Sequence, residues 1–227
     1  MEYVEIARAE SERGELVLRE RRHEGAATAL ELRVNGVFVM DTLETSTERA
    51  LASAALEVVE NPRAVVVGGL GLGFTMHEVL ADSRVEVCAV VEIEQSLVDW
   101  MRDGTIPHGP SLLADERVVV VVADIAVALA EARPASYDLV LLDVDNGPGF
   151  LVHEANATLY TSEFLATARA ALRPGGALVV WSADAAPDLE AALHEVFGDV
   201  ETRPHEVLLQ DREEEYWSYV ARVPSPA

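Results

Sequence analysis

Val65-Val66-Val67-Gly68-Gly69-Leu70-Gly71-Leu72-Gly73-Phe74 is the stretch on which the reading of this chain turns. An apolar run with no polar break is what a strand buried on both faces requires. The glycines that follow allow a sharp turn and a close approach of backbone to a ligand, and a helix beginning beyond them presents free N–H groups. The spacing is G-x-G-x-G. The dinucleotide fingerprint needs a glycine three residues after its second, and from Gly71 that position is Phe74, so NAD or FAD is the weaker reading. A glycine-rich turn can also be purely structural. Its meaning depends on what the neighbouring strands bring to it.

Working outward, strand and helix patterns alternate. Strands are expected at 64–67, 85–91, 118–122, 137–142 and 177–181, with helices at about 74–81, 94–102, 125–132, 161–172 and 187–197. Two last strands, near 206–210 and 216–222, form a hairpin that suits an antiparallel edge. Such alternation predicts an α/β fold: a doubly wound, mostly parallel, Rossmann-like sheet of seven strands covered by helices. Ahead of it, Leu16-Val17-Leu18 and 29–34 read as short strands. Asn35-Gly36 is a hairpin signal because both residues tolerate positive φ, and 37–40 returns. A helix over 45–60 follows, capped by Ser46 or Thr47 and ended by Asn61-Pro62. The division expected is a β-hairpin region over 1–44 and a ligand-binding domain over 45–227.

Acids stand at the ends of successive strands. Glu92 closes the second, beside the glycine loop, where a carboxylate can accept both hydroxyl protons of a ribose. Glu94, two residues on, fits better as an acid favoured by a helix N-terminus. Asp124 closes the third strand. It can accept a hydrogen bond from an adenine amino group or cap the helix that begins at Ile125, and one residue could do both; Ile125 is grouped with it. Asp143 closes the fourth, where a transferred group would sit, and could orient or deprotonate a nucleophile. Four features in this order are hard to explain as packing. The loop over 144–159, with His153, Glu154 and Asn156, would cover the site.

Composition narrows the classes. The 227 residues are 50% hydrophobic, enough for one sizeable core. Seventeen basic against 40 acidic side chains give a formal charge of −23, which disfavours nucleic acid and anionic membrane surfaces as partners. The acid excess could attract a cationic substrate or serve solubility alone. No apolar run is long enough to span a bilayer, and the acidic start lacks a signal-peptide pattern, so a cytoplasmic protein is expected. Cys88 is the single cysteine, read as a buried inert thiol. The histidines show no H-x-x-x-H pair and no G-x-S-x-G elbow occurs, so neither a metal site nor a serine hydrolase is expected. Trp181, Trp217 and Tyr219 read as core aromatics.

Over most of its length the chain resembles the spermidine synthase-like family, which has a class I methyltransferase-type core behind a small N-terminal β region. The resemblance rests on Asn35-Gly36-Val37, Asn61-Pro62-Arg63, the glycine loop, His77-Glu78-Val79-Leu80 and Val91-Glu92-Ile93-Glu94. It continues through Tyr137-Asp138 to Pro148-Gly149, Leu159-Tyr160 and Leu172-Arg173-Pro174-Gly175-Gly176. It implies that S-adenosylmethionine or its decarboxylated form binds at Gly69, Gly71 and Gly73, with Glu92 on the ribose, Asp124 on the adenine and Asp143 beside an acceptor amine. It also implies a homodimer. Three polyamine-site positions depart from the family. Leu72 stands where the family carries an Asp that holds the amine of the decarboxylated donor. Thr47-Glu48 replaces Tyr followed by Gln or His. Asn146 replaces a second Asp, although Asp145 is adjacent.

The nucleoside positions are thus kept while the polyamine positions change. A buried ammonium without its carboxylate costs several kcal/mol. The leading expectation is therefore an S-adenosylmethionine-dependent methyltransferase acting on a small molecule; the alternatives are aminopropyl transfer to a diamine and a silent nucleoside-binding module.

Overall fold

The computed structural model describes residues 2–23, 25, 27–145, 147–149, 151, 153–209 and 212–225. The N-terminal region is more than a hairpin. β1 (Glu2–Ser11), β2 (Gly14–Arg22), β3 (Ala29–Val34) and β4 (Val37–Asp41) form a sequential antiparallel sheet. Asn35 and Gly36 take φ of 51° and 77°, as the hairpin signal requires. β1 escaped the sequence reading because neither of its faces is fully buried. It is held by pairing with β2 along its length, which no local pattern announces.

α1 (Ser46–Val58) follows. Neither Ser46 nor Thr47 caps it. Thr45 occupies the cap position, and Glu44 Oε1 accepts the Ser46 N–H at 2.9 Å. The second sheet then builds from β5 (Ala64–Gly68), α2 (Phe74–Ala81), β6 (Val87–Glu92), α3 (Gln95–Asp103), α4 (Gly109–Leu113), β7 (Val118–Val122), α5 (Ile125–Glu131) and β8 (Tyr137–Leu142). A 3₁₀ turn at Glu154–Tyr160, α6 (Ser162–Ala171), β9 (Leu172–Ser182), α7 (Pro187–Phe197), β10 (Asp199–Leu209) and β11 (Arg212–Arg222) complete it. The spatial order is β10-β11-β9-β8-β5-β6-β7; β5 to β9 run parallel, and β11 and β10 add antiparallel. This is the doubly wound, seven-stranded α/β sheet expected.

Three details differ from expectation. β9 begins at Leu172, because Leu172 already pairs with Tyr137 ahead of the Arg173-Pro174-Gly175-Gly176 bend. β10 begins at Asp199, upstream of Pro204. Proline is tolerated there because β10 is the outermost strand and that N–H has no ladder partner to lose. The short α4 opens on Gly109-Pro110, a pair that reads as a turn.

The core lies on both faces of the main sheet. One cluster joins Leu16, Leu18, Leu32 and Met40 of the first sheet to Leu51 and Ala55 of α1 and to Val65 and Val67 of β5, so the two sheets share apolar contacts. The other packs α5, α6 and α7 against Val66, Val140 and Val180. Cys88 is buried in the first of these clusters without a redox partner, and burial pushes its thiol up to about 12. Two arginines cap helix ends. Arg84 Nη2 donates to the Leu56 carbonyl at 2.9 Å, and Arg117 Nη2 to the Leu80 carbonyl at 2.7 Å.

Order switches between β5 and β8, so their carboxyl ends open onto a crevice. At the opposite end, Asp138 Oδ2 accepts the Ala64 N–H and an Arg173 N–H, each at 2.8 Å, tying the starts of β5 and β9 to β8. Replacing Asp138 with Ala leaves a buried N–H unpaired. We expect a loss of about 1–3 kcal/mol, seen as a lower urea midpoint at unchanged m-value. An unchanged midpoint would remove Asp138 from the fold's supports.

Candidate active site

A cavity of about 470 Å³ opens at the carboxyl ends of β5, β6, β7 and β8, and is walled on its far side by the first sheet and α1. The glycine loop forms its floor. Gly69 has φ of 95°, and a Cβ there would stand 2.1 Å from the Asp143 carbonyl oxygen. Gly71 has φ of 50°, and its Cβ would meet Met40 Sδ at 2.6 Å. Both line the cavity. Gly73 does not. It stands at the α2 N-cap with φ of 87°, turned toward Met101 and Leu112. Leu72 is likewise off the wall. Its side chain is wholly buried in the core, its N–H approaches Met40 Sδ at 3.1 Å, and its carbonyl accepts from His108 Nε2 at 2.6 Å. The expectation that Leu72 meets a substrate is corrected. The turn directs Leu70 and Leu72 into the core while the backbone at Gly69 and Gly71 faces the cavity.

Glu92 is buried on the wall beside the loop. Its Oε2 accepts the Leu70 N–H at 2.9 Å and its Oε1 the Glu94 N–H at 2.8 Å. Burial pushes its carboxyl up, against the pull of those N–H donors. Each oxygen accepts one N–H, which leaves a lone pair for a ligand hydroxyl. Asp124 lines the cavity and also caps α5, accepting the Ala126 N–H at 2.8 Å, so both sequence readings coexist. Ile125 beside it is buried and contributes apolar wall.

Asp143 stands directly after β8 and accepts a hydrogen bond from the Thr75 hydroxyl at 2.5 Å. Burial raises its carboxyl above the usual range. Glu48, in the first turn of α1, is buried on the same wall and accepts from the Thr47 hydroxyl at 2.8 Å. Desolvation, then the charge of Asp143, pushes Glu48 up to about 7. Neither acid has an arginine or lysine partner among the described residues. Asp145 takes φ of 58°, and Asn156 Nδ2 donates to its two oxygens at 3.0 and 2.8 Å. Asn146 lies outside the described residues.

The sequence reading missed several wall residues. Arg13, in the turn between β1 and β2, reaches over the cavity. Its Nη2 donates to Asn156 Oδ1 at 3.1 Å, and its carbonyl accepts from His153 Nε2. His153 and Asn156 thereby tie the loop over 144–159 to the first sheet. Trp181 packs against the core as expected and also lines the cavity, edge-on to Tyr216 at 5.3 Å between ring centroids. Tyr219 is core as expected, its hydroxyl accepting the Ala186 N–H at 2.6 Å, and Trp217 is half-buried against the helical face. None of these contacts has a local signature. Among the described residues, nine carboxylates and a single arginine line the cavity. No group of three potential metal ligands occurs among them, and no helix is long and apolar enough to cross a membrane.

The wall is therefore strongly acidic. Glu48 supplies a check on that. A carboxyl raised from 4.5 to about 7 binds its proton more tightly when folded, so its contribution is full at low pH and lost as pH rises through 7. The span is about 3 kcal/mol. Glu48→Gln should accordingly gain on the wild type by about 2–3 kcal/mol between pH 5 and pH 8 in urea unfolding. Parallel stability curves for the two proteins would show that the carboxyl is not desolvated.

Comparison with known proteins places these features in a family. The spermine/spermidine synthase domain matches residues 44–198. Polyamine aminopropyltransferase 2 of Pseudomonas aeruginosa is 29% identical over 182 residues, covering 77% of this chain and 46% of that protein. Putrescine N-methyltransferase 3 of Nicotiana tabacum is 32% identical over 120 residues, covering 52% of this chain and 29% of that protein. The chain thus spans about half the length, or less, of these relatives. Spermidine synthase from Thermotoga maritima superposes with a TM-score of 0.80 at 19% identity, over 96% of this chain and 72% of that one, and so shares the fold.

Proposed function

This chain belongs to the spermine/spermidine synthase domain family, and from that premise we propose that it is a transferase that moves a methyl group from S-adenosylmethionine to a small-molecule amine. The observation that carries the reading is Asp143: a half-buried carboxylate, unpaired by any described cation, on the wall that also holds Glu92 and the glycine loop. A sulfonium and an ammonium are the partners such a wall lacks. In this reading Gly69 and Gly71 let the backbone approach the donor, and Glu92 holds the ribose. Asp124 takes the adenine amino group over Ile125, and Asp143 orients the acceptor. Residues 45–227 act as the donor-binding domain, and 1–44 close the acceptor side.

When bound, the donor supplies an activated methyl carbon, so the protein need form no covalent intermediate. What remains for the chain is alignment, exclusion of water and management of one proton. Thr75 fixes the Asp143 carboxylate. Arg13, His153 and Asn156 hold the covering loop over the cavity. Arg13 is also the one described guanidinium on the wall, where it bonds Asn156 and lies 3.8 Å from Glu94.

Aminopropyl transfer is the second reading. The relatives named polyamine aminopropyltransferase favour it, as does a wall so rich in carboxylates, which suits a decarboxylated donor. Against it, the glycine loop contributes no carboxylate to the cavity, since Leu72 lies in the core.

Calorimetric titration with both donors, followed by mass analysis of putrescine incubated with each, separates the two. The expected result is binding of S-adenosylmethionine and a methylated amine. Tight binding of the decarboxylated donor with none of the methionine form overturns the proposal in favour of aminopropyl transfer. Asp143→Asn should lower kcat by about 100-fold or more while leaving donor affinity within a few fold.

A further inference from the structure

Two carboxylates face this cavity, Glu48 buried and Asp143 half-buried, and the proposed reaction has work for both. Asp143 leaves the sheet at β8, where the Thr75 hydroxyl fixes it. Glu48 comes from α1, and its one described hydrogen bond is from Thr47. The charged groups near Glu48 are all accounted for. Asp143 lies across the cavity, and Glu44 lies on the approach to α1. The Asp41 carboxylate is already taken by Arg21 at 2.5 Å. Arg49, next along the helix, turns away to Glu78 at 3.1 Å. Glu48 therefore sits among acids with no cation of its own.

We infer that Glu48 is the proton acceptor of the reaction, taking the proton from the attacking ammonium while Asp143 keeps its charge. This rests on the amine-transfer reading above. The balance is simple. The N–H bond breaks and its proton passes to a Glu48 carboxylate oxygen. The freed nitrogen lone pair forms the new N–C bond as the C–S bond breaks, and that electron pair stays on sulfur as the thioether. The product amine leaves, and Glu48 returns its proton to solvent. The assignment fits the geometry: Asp143 is locked to Thr75 and to the sheet, whereas Glu48 is carried on a separate helix and its one described side-chain partner is its sequence neighbour. It also fits the titration, since a carboxyl near 7 is matched to proton exchange at neutral pH.

The test has two parts. At saturating donor, kcat/KM for putrescine should fall on the acid side with a midpoint at or below about 7, because the donor's positive charge pulls Glu48 down from its value in the empty site. In Glu48→Gln that limb should vanish. Activity at pH 7 should drop by about 100-fold and recover only as the pH nears the amine's own ionisation. Thr47→Val keeps the carboxyl and removes its donor, so the limb should move to higher pH. The second part needs no turnover. Calorimetry of putrescine binding at pH 7 in two buffers of different ionisation enthalpy should report release of about half a proton in the wild type and none in Glu48→Gln. An acid limb and a proton release that persist unchanged in Glu48→Gln overturn the assignment alone. Absence of any putrescine binding to the wild type overturns the amine-transfer reading and this inference with it.

Discussion

At the centre of the molecule the Gly69 backbone lies against the Asp143 carbonyl, so close that a side chain on Gly69 would occupy the same space as that oxygen. The contact sits where the strand order of the main sheet reverses. The Gly69 N–H donates to the Val91 carbonyl at 2.9 Å, and the Asp143 N–H donates to the Gly68 carbonyl at 2.9 Å. Three strand exits are thereby stitched together by backbone alone. The glycine loop, Glu92 and Asp143 are then placed by the sheet rather than by flexible connections. A site carried on rigid strand ends holds its geometry better than one on loops. The rest of the cavity is assembled around that fixed point: Met40 is laid onto Gly71, α1 brings Glu48, and the turn at Arg13 crosses above.

The electrostatics follow from the same packing. Elsewhere in the chain, acids are spent on arginines. Arg117 holds the Asp115 carboxyl down at about 2, and Arg203 with Arg222 does the same for Glu201. In the cavity Asp41 and Glu94 keep arginine neighbours, but Glu48, Glu92 and Asp143 have none among the described residues. Glu48, Glu92 and Asp143 are all raised, in each case first by burial. Folding an acid into such a place without a partner is costly, and the fold must offset the cost elsewhere. The core beneath the glycine loop and the arginine-capped helix ends supply that support. A cationic ligand removes the penalty when it binds, so the unpaired acids couple binding to charge.

What the sequence could disclose follows the range of each signal. The parallel sheet, the glycine turn and the exits at Glu92, Asp124 and Asp143 were legible because strand period and turn chemistry are local. The Asn35-Gly36 hairpin was legible for the same reason. β1 was not, since it buries only small side chains such as Ala7 and Ala9 and is held chiefly by its pairing with β2. Thr75 was hidden because its partner is 68 positions away. Arg13 meets Asn156 across 143 positions, and no spacing rule spans that distance. Trp181 read as core because an aromatic at the end of a buried strand usually is; here the strand end also opens onto the cavity.

Leu72 shows how a correct motif can carry the wrong geometry. Its neighbours in sequence, Gly71 and Gly73, suggested a loop whose every residue addresses the ligand. The backbone instead alternates, and Leu72 is drawn into the apolar cluster with Met40, Met76 and Met101. Its burial follows from the loop's path more than from its own chemistry. An acid at 72 would have to enter that cluster or pull the loop out of register with Met40. In the proposed reaction, discrimination between donors is thus relocated. It rests on the side chains that α1, β8 and the Arg13 turn bring to the cavity, so substitutions at Glu48, Asp143 and Arg13 bear on donor choice more directly than any change at Leu72.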